Sequence, residues 1–266
     1  MTLKEAIEIL KSAGIESAEY DARELFRFYR PGFVMLNTES GSPELLSAIE
    51  RRANREPLQY IIGEVGFYRE SYKVTPDCLI PRADTEILVD YAVKNLPEGA
   101  LFLDLCTGSG CVAISTLKNT KNTTAVAVDI SGGALAVATE NAVMNGVMDR
   151  INFQLADLTT DVIGLPVFAV LSNPPYVADD VYDGLEGEIF HEPKEAFVGG
   201  ADGGDFYRRL TPIYKEFIAK EGFIAYEIGY DQADLLRDIA TECSMTCEIL
   251  KDLSGNDRVA VLKFPN

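Results

Sequence analysis

Leu101-Phe102-Leu103-Asp104-Leu105-Cys106-Thr107-Gly108-Ser109-Gly110 is the stretch on which the fold turns. Its first five residues are an apolar run that reads as a buried strand. Glycines follow where the chain must turn tightly and let a ligand approach the backbone. The helical stretch 111–118 comes next. Strand, glycine loop and helix open many α/β folds, and the pattern serves any nucleotide, or simply a turn.

Outward from this stretch the chain keeps alternating. Strands are expected over 101–105, 125–129, 151–155, 168–172, 222–227, 246–250 and 258–264, with helices over 111–118, 132–145, 205–220 and 232–242. Ser131 and the Asn145-Gly146 pair are suitable caps for the second of these helices. Alternation of this kind implies an α/β layer fold with a largely parallel sheet, here from Leu79 onward. Upstream the character differs. Thr2 with Glu5 fits a capping box ahead of the apolar face Leu3, Ala6, Ile7 and Leu10, which stops at Gly14. A second helix carries Ala18, Ala22, Leu25, Phe26 and Tyr29 and ends near Pro31-Gly32. A third starts at Ser42-Pro43 and shows Leu45, Leu46, Ile49 and Ala53. The expected organisation is a small all-α bundle over 1–56, a β-hairpin connector over 57–78, and the α/β domain over 79–266. Within the connector, 59–63, 66–68 and 71–74 read as short strands.

Composition narrows the functional classes. Formal net charge is −18, which repels phosphates and attracts a basic partner, so direct binding of nucleic acid is not expected. No run of about 18 apolar residues is present, and no membrane span is expected. The first residues lack the basic-then-apolar layout of a secretion signal, which points to the cytoplasm. A monomer is the expected form. Five cysteines at irregular spacing and one histidine assemble no zinc pattern, so no metal is expected. Cys243 and Cys247, four apart, read as reduced thiols that share a helix face.

Asp129 ends the strand after the glycine loop, about 20 residues on, where a carboxylate accepts hydrogen bonds from ribose hydroxyls; capping the next helix is the competing role. After the third strand, Asp157 can reach an adenine amino group and Leu158 can pack on the ring, unless the pair only makes a turn. Asp104-x-Cys106-x-Gly108-x-Gly110 lacks the G-x-G-x-x-G order of a dinucleotide loop, and no Gly-Lys-Ser/Thr follows as in a P-loop.

The next strand runs into Asn173-Pro174-Pro175-Tyr176. In an open α/β sheet ligands gather at the carboxyl ends of strands, so this tetrapeptide shares an edge with Gly108 and Asp129. Two prolines fix the backbone and remove two donors. What remains outward is acceptors, the Asn173 side-chain oxygen and the Pro174 carbonyl. An amide or aromatic amine is a poor nucleophile because its lone pair is delocalised. Two acceptors that hold its N–H bonds orient that lone pair toward a methyl sulfonium, and Tyr176 can stack on the planar group. A strong general base is not required, since the proton can leave afterwards.

Beyond this motif, Arg55-x-Pro57-Leu58-Gln59-Tyr60-Ile61-x-Gly63, Leu79-Ile80-Pro81-Arg82-x-x-Thr85-Glu86, Glu192-Pro193 with Gly199-Gly200-x-x-Gly203, Glu227-Ile228-Gly229 with Gln232, and Asp252-Leu253-x-Gly255-x-Asp257-Arg258 are present. Together they resemble the peptide chain release factor glutamine methyltransferases, from about residue 55 to the C-terminus. The resemblance implies a Rossmann-like class I S-adenosylmethionine-dependent methyltransferase domain, seven-stranded and mostly parallel with an antiparallel last strand. It implies S-adenosylmethionine as cofactor, S-adenosylhomocysteine as product, and a class 1 release factor as protein partner, methylated on the glutamine of its Gly-Gly-Gln motif. The catalytic motif would be Asn173, Pro174, Pro175 and Tyr176. Cofactor contacts would fall on Cys106, Thr107, Gly108, Ser109, Gly110, Asp129, Leu158 and Asn173. Two departures stand out: the family usually has Gly at Cys106, and an aromatic or bulkier residue near Leu158. Pro81-Arg82 with Thr85-Glu86 either borders the site or starts a helix. His191 reads as a loop residue, and the acidic loop 179–192 as a possible substrate lid. The competing activities are methylation of a ribosomal-protein glutamine or of an adenine amine, and a non-catalytic cofactor-binding protein.

Overall fold

The computed structural model describes residues 1–30, 32, 34–185 and 187–265, and the chain divides into two compact units. The Pro31 end of the second expected helix lies outside the described residues. One unit comprises Met1–Glu64 with Glu186–His191. Its helices are α1 (Leu3–Ser12), α2 (Ala18–Tyr29), α3 (Pro43–Ala53) and α4 (Leu58–Ile62). Thr2 and Glu5 close a capping box at α1, and Ser42 caps α3 through the Leu45 amide. Leu3, Leu10, Leu25, Phe26, Leu45 and Ile49 form the core of this unit. Burying each such side chain contributes about 1.5–3 kcal/mol. In α3 the inward stripe takes Ala48, whereas Leu46 faces outward. The same core encloses a charge pair: Arg52 Nε meets Asp21 Oδ2 at 2.7 Å, and Arg52 Nη2 meets Glu188 Oε1 at 2.7 Å.

Residues 59–63 are not a strand. Leu58, Tyr60 and Ile61 turn one face inward, and Gly63 ends α4 in the left-handed region (φ 87°), its amide bonded to the Gln59 carbonyl at 2.7 Å. The β-branched and aromatic residues that suggested a strand are used here for a helix's apolar face, because burial overrides intrinsic preference.

The other unit starts at Val65, inside the first strand of the hairpin β1 (Glu64–Phe67) and β2 (Glu70–Lys73). Then follow α5 (Glu86–Asn95), β3 (Leu101–Leu105), α6 (Cys111–Lys118), β4 (Thr124–Asp129), α7 (Gly132–Met144), β5 (Ile151–Leu155), β6 (Val167–Ser172), the short α8 (Asp179–Tyr182), α9 (Asp205–Tyr214), β7 (Ile218–Glu227), α10 (Ala233–Glu242), β8 (Thr246–Lys251) and β9 (Asp257–Lys263). The seven-stranded sheet has the order β5-β4-β3-β6-β7-β9-β8, and β9 runs antiparallel to both its neighbours. Successive side chains go to opposite layers. Phe102, Ala169, Leu171 and Phe223 join one hydrophobic cluster, and Leu103, Leu105, Val170 and Ile224 join the other. Both faces are covered, which is why these strands read as unbroken apolar runs.

The helix expected over 205–220 stops at Tyr214, and β7 starts at Ile218. Cys243 sits at the end of α10 and Cys247 on β8, so the two share no helix. Among the described residues no helix is long and apolar enough to cross a membrane.

Parallel registry aligns the strand ends. Leu105 lies beside Ser172, Asp129 beside Leu155, and Ser172 beside Tyr226. The loops after β3, β4, β6 and β7 therefore emerge at one edge. Strand order reverses between β3 and β6, the switch point where such sheets bind ligands.

Candidate active site

The loop after β3 is held from below. Asp104 is buried, and its Oδ2 accepts from the Thr107 hydroxyl at 2.6 Å and the Ala113 amide at 3.1 Å. Burial pushes its carboxyl up to about 7, against those two hydrogen bonds. Thr107 is thus spent on the loop itself. Ser109 is buried, with its carbonyl taken by Asn141 Nδ2 at 2.9 Å. Gly110 (φ 82°) is required for packing, since a Cβ there would lie 2.9 Å from Ile114 and 3.1 Å from Ala138. Gly108 (φ 55°) differs, because a Cβ on it would meet nothing within 4 Å. Cys106 adopts φ 59°, a left-handed conformation that favours glycine.

Asp129 accepts from the Gly108 amide through Oδ2 at 2.8 Å and from the Ser131 amide through Oδ1 at 2.9 Å. Burial raises its carboxyl above the usual range, and the backbone donors oppose that. The competing helix-capping role belongs to Ser131, whose Oγ receives the Ala134 amide at 3.1 Å. A carboxylate has about four lone-pair sites, so Asp129 keeps acceptor capacity beyond its two backbone donors. With the open ground above Gly108, it suits a nucleoside with a vicinal diol. Leu158 falls outside this arrangement. Its side chain is 4% exposed and packed in the core, and Arg209 Nε binds its carbonyl at 2.5 Å. Little surface is left for an adenine ring, and Asp157 is turned back to the Thr159 amide and hydroxyl at 2.8 and 2.6 Å. Strand-end spacing locates such residues but does not reveal burial. An apolar surface is present instead at Ile130, which follows Asp129 and is exposed.

The Asn173–Tyr176 loop is braced by two of the motifs quoted above. Gln232 Nε2 donates to the Tyr176 carbonyl at 2.9 Å, and its Oε1 accepts the Gly229 amide at 2.9 Å. The Val177 amide donates to the Phe197 carbonyl at 2.8 Å, and the Gly199 amide to the Val177 carbonyl at 2.9 Å. A Cβ on Gly199 would fall 2.4 Å from the Pro175 oxygen, and one on Gly203 2.1 Å from the Tyr176 oxygen. The glycines let the backbone close around the motif. Nearby, Glu192 is buried, pairs with Arg82 and accepts the Ile80 amide at 2.9 Å.

A cavity of about 50 Å³ opens here, lined by Leu79, Arg82, Asn173, Tyr176, Phe197 and Glu227 among others. That is room for one or two water-sized groups. The Asn173 Nδ2 donates to the Thr85 hydroxyl at 3.3 Å, and the Tyr176 hydroxyl donates to Glu227 Oε1 at 3.2 Å. Burial raises the Glu227 carboxyl to about 6, with Thr85, Arg258 and Tyr176 drawing it back. Thr85 and Glu227 both fall in motifs quoted above, yet their convergence on the Asn173–Tyr176 loop was not legible, since residues 85, 173 and 227 are far apart in the chain. The two readings of Thr85-Glu86 both hold: α5 starts there, and Thr85 borders the site. His191 lies in a short turn that groups with the helical unit. In the loop 179–192, Glu186 is outside the described residues.

The Methyltransferase small domain model matches residues 83–202. The release factor glutamine methyltransferase of Thermodesulfovibrio yellowstonii is 38% identical over 232 residues, covering 85% of this chain and 83% of that one. The enzyme of the same name from Caulobacter vibrioides is 36% identical over 265 residues, covering 95% and 91%. This chain belongs to the release factor glutamine methyltransferase family. The fold agrees independently with a solved ribosomal protein L11 methylase from Lactobacillus delbrueckii (TM-score 0.53, 20% identity, covering 73% of this chain and 84% of that one). The class I methyltransferase fold, the transferase class and the family expected from the motifs are thereby borne out.

Proposed function

We propose that this chain methylates the side-chain amide nitrogen of the glutamine in the Gly-Gly-Gln motif of a class 1 peptide chain release factor, as a cytoplasmic monomer that uses S-adenosylmethionine. The observation that carries the reading is the small cavity lined by Asn173, Tyr176 and Glu227, on the sheet edge that also presents Gly108 and Asp129. The names of the family's curated members support the substrate.

In this reading Asp129 binds ribose hydroxyls, the Cys106–Gly110 loop passes beneath the cofactor, and Ile130 offers apolar surface. Leu158 lies in the core. When bound, the cofactor supplies an electrophilic methyl group. Asn173 Oδ1 and the Pro174 carbonyl accept the two N–H bonds of the substrate amide, which orients the nitrogen lone pair toward that methyl. Tyr176 packs on the amide plane. Catalysis is then positioning and electrostatic complementarity. The net charge of −18 suits a basic protein substrate rather than a bare nucleic acid.

Incubation with radiolabelled S-adenosylmethionine and purified release factor, ribosomal protein or DNA tests the reading. Label on the release factor is expected. Label confined to the ribosomal protein or to DNA would redirect the function to one of the competing activities.

A further inference from the structure

Glu227 is a carboxylate in an unusual place. It is 2% exposed, yet it lines the acceptor cavity. One oxygen receives the Tyr176 hydroxyl at 3.2 Å, and Oε2 has no hydrogen-bond partner among the described residues. Tyr176 and Asn173 belong to the same motif, and Asn173 is tied on its other side to Thr85 at 3.3 Å. A buried carboxylate left this open carries a large desolvation penalty, and the fold tolerates it at the one place where the orientation of an amide decides the chemistry.

Building on the proposed substrate reading, we infer that Glu227 is a positioning residue: with Thr85 and Tyr176 it sets which way the Asn173 amide points. The argument follows the protons. An ionised carboxylate accepts only. It holds the Tyr176 hydroxyl as a donor, and its open oxygen is the acceptor toward which the Thr85 hydroxyl can turn, the interaction that favours the ionised form. The Thr85 oxygen then presents lone pairs, which suit Asn173 Nδ2. Asn173 Oδ1 is left facing the cavity as an acceptor for a substrate N–H. If Glu227 becomes neutral, its new O–H can donate to the Thr85 oxygen and displace the Thr85 proton. Thr85 can then donate to Asn173 Oδ1, the amide can turn over, and the motif offers an N–H to an N–H.

The charged and titratable groups that face Glu227 are Tyr176 on the motif loop, Arg82 across the same cavity, Arg258 on β9, Asp84 before α5, Tyr207 on α9 and Cys111 on α6. Arg258 favours the ionised form and Asp84 opposes it, and burial sets the balance near 6.

The test compares wild type with Glu227→Gln, Thr85→Val and Thr85→Ser on release factor at saturating cofactor. Glu227→Gln and Thr85→Val are expected to lower kcat roughly 10- to 100-fold, the scale of a hydrogen bond to a charged group. KM for release factor and the Kd for cofactor, measured by calorimetry, stay within about threefold, a small change on the free-energy scale. Thr85→Ser keeps the hydroxyl and retains activity. Wild-type kcat falls on the acid side with a midpoint near pH 6, following Glu227, and Glu227→Gln lacks that limb. Wild-type kcat and an unchanged pH profile in Glu227→Gln overturn the inference, as does full activity in Thr85→Val. If Glu227→Gln fails to fold, the Thr85→Val and Thr85→Ser pair decides alone. A wild type that labels no glutamine would overturn the substrate reading and this inference with it. Equal labelling by wild type and Glu227→Gln would overturn this inference only.

Discussion

Replacing Asp104 with Asn should make the protein relatively more stable as pH rises. Asp104 is buried beneath the glycine loop, and its carboxyl is raised from 3.8 to about 7, chiefly by desolvation. The folded state therefore holds this proton more tightly than the unfolded chain. The resulting stabilisation is present in acid and is lost as pH climbs through about 7. Between pH 5 and 8 the native carboxyl passes from neutral to charged. That span includes about two pH units below the native pKa, and each unit is worth 1.36 kcal/mol. Wild type should lose on the order of 3 kcal/mol of stability from this group over the interval. An asparagine cannot titrate, and its side-chain oxygen can still accept from Thr107 and Ala113. Glu227 titrates in both proteins and cancels from the difference. Thermal melts of wild type and Asp104→Asn, followed by circular dichroism at pH 5 and pH 8, measure the effect. The gap in Tm should shift by roughly 6–12 °C in favour of the variant on going to pH 8. Parallel pH profiles would refute the reasoning and mean that the loop holds Asp104 ionised throughout.

Two further outcomes follow from the same contacts. Asn173→Ala should lower methyl transfer roughly 100-fold or more, the scale of a lost preorganised polar contact, while cofactor affinity by calorimetry largely survives; full activity would remove the acceptor role. Arg52→Ala strands the buried Asp21 carboxylate and should destabilise the helical unit by about 3–5 kcal/mol, seen as early amide exchange in α2 and α3; unchanged protection there would count against the pair.

Much of the sheet was legible because parallel strands covered on both faces leave continuous apolar runs, as at Leu101–Leu105 and Val167–Ser172. Where the reading failed, burial had changed the meaning of a residue. Gln59-Tyr60-Ile61-Ile62 has strand composition but folds as a helix closed by Gly63. Asp21 and Arg52, two charges 31 residues apart, are buried partners that no local pattern announces. In the site, the contiguous pieces were visible: the glycine loop, Asp129 and Asn173–Tyr176. The joins between them were not. Asp129 to the Gly108 amide spans two loops, Thr85 to Asn173 spans 88 residues of chain, and Glu227 reaches Tyr176 only because β6 and β7 are neighbours. Leu158 was drawn to the cofactor by its position after a strand, whereas its side chain completes the core.

Mass spectrometry of a release factor treated with this protein and S-adenosylmethionine tests the central claim most directly. The account predicts a mass gain of one methylene on the peptide that contains the Gly-Gly-Gln motif, located by fragmentation to the glutamine side chain and absent when that glutamine is replaced. A methyl group found on any other residue, or no gain on that peptide while another substrate is methylated, would contradict it.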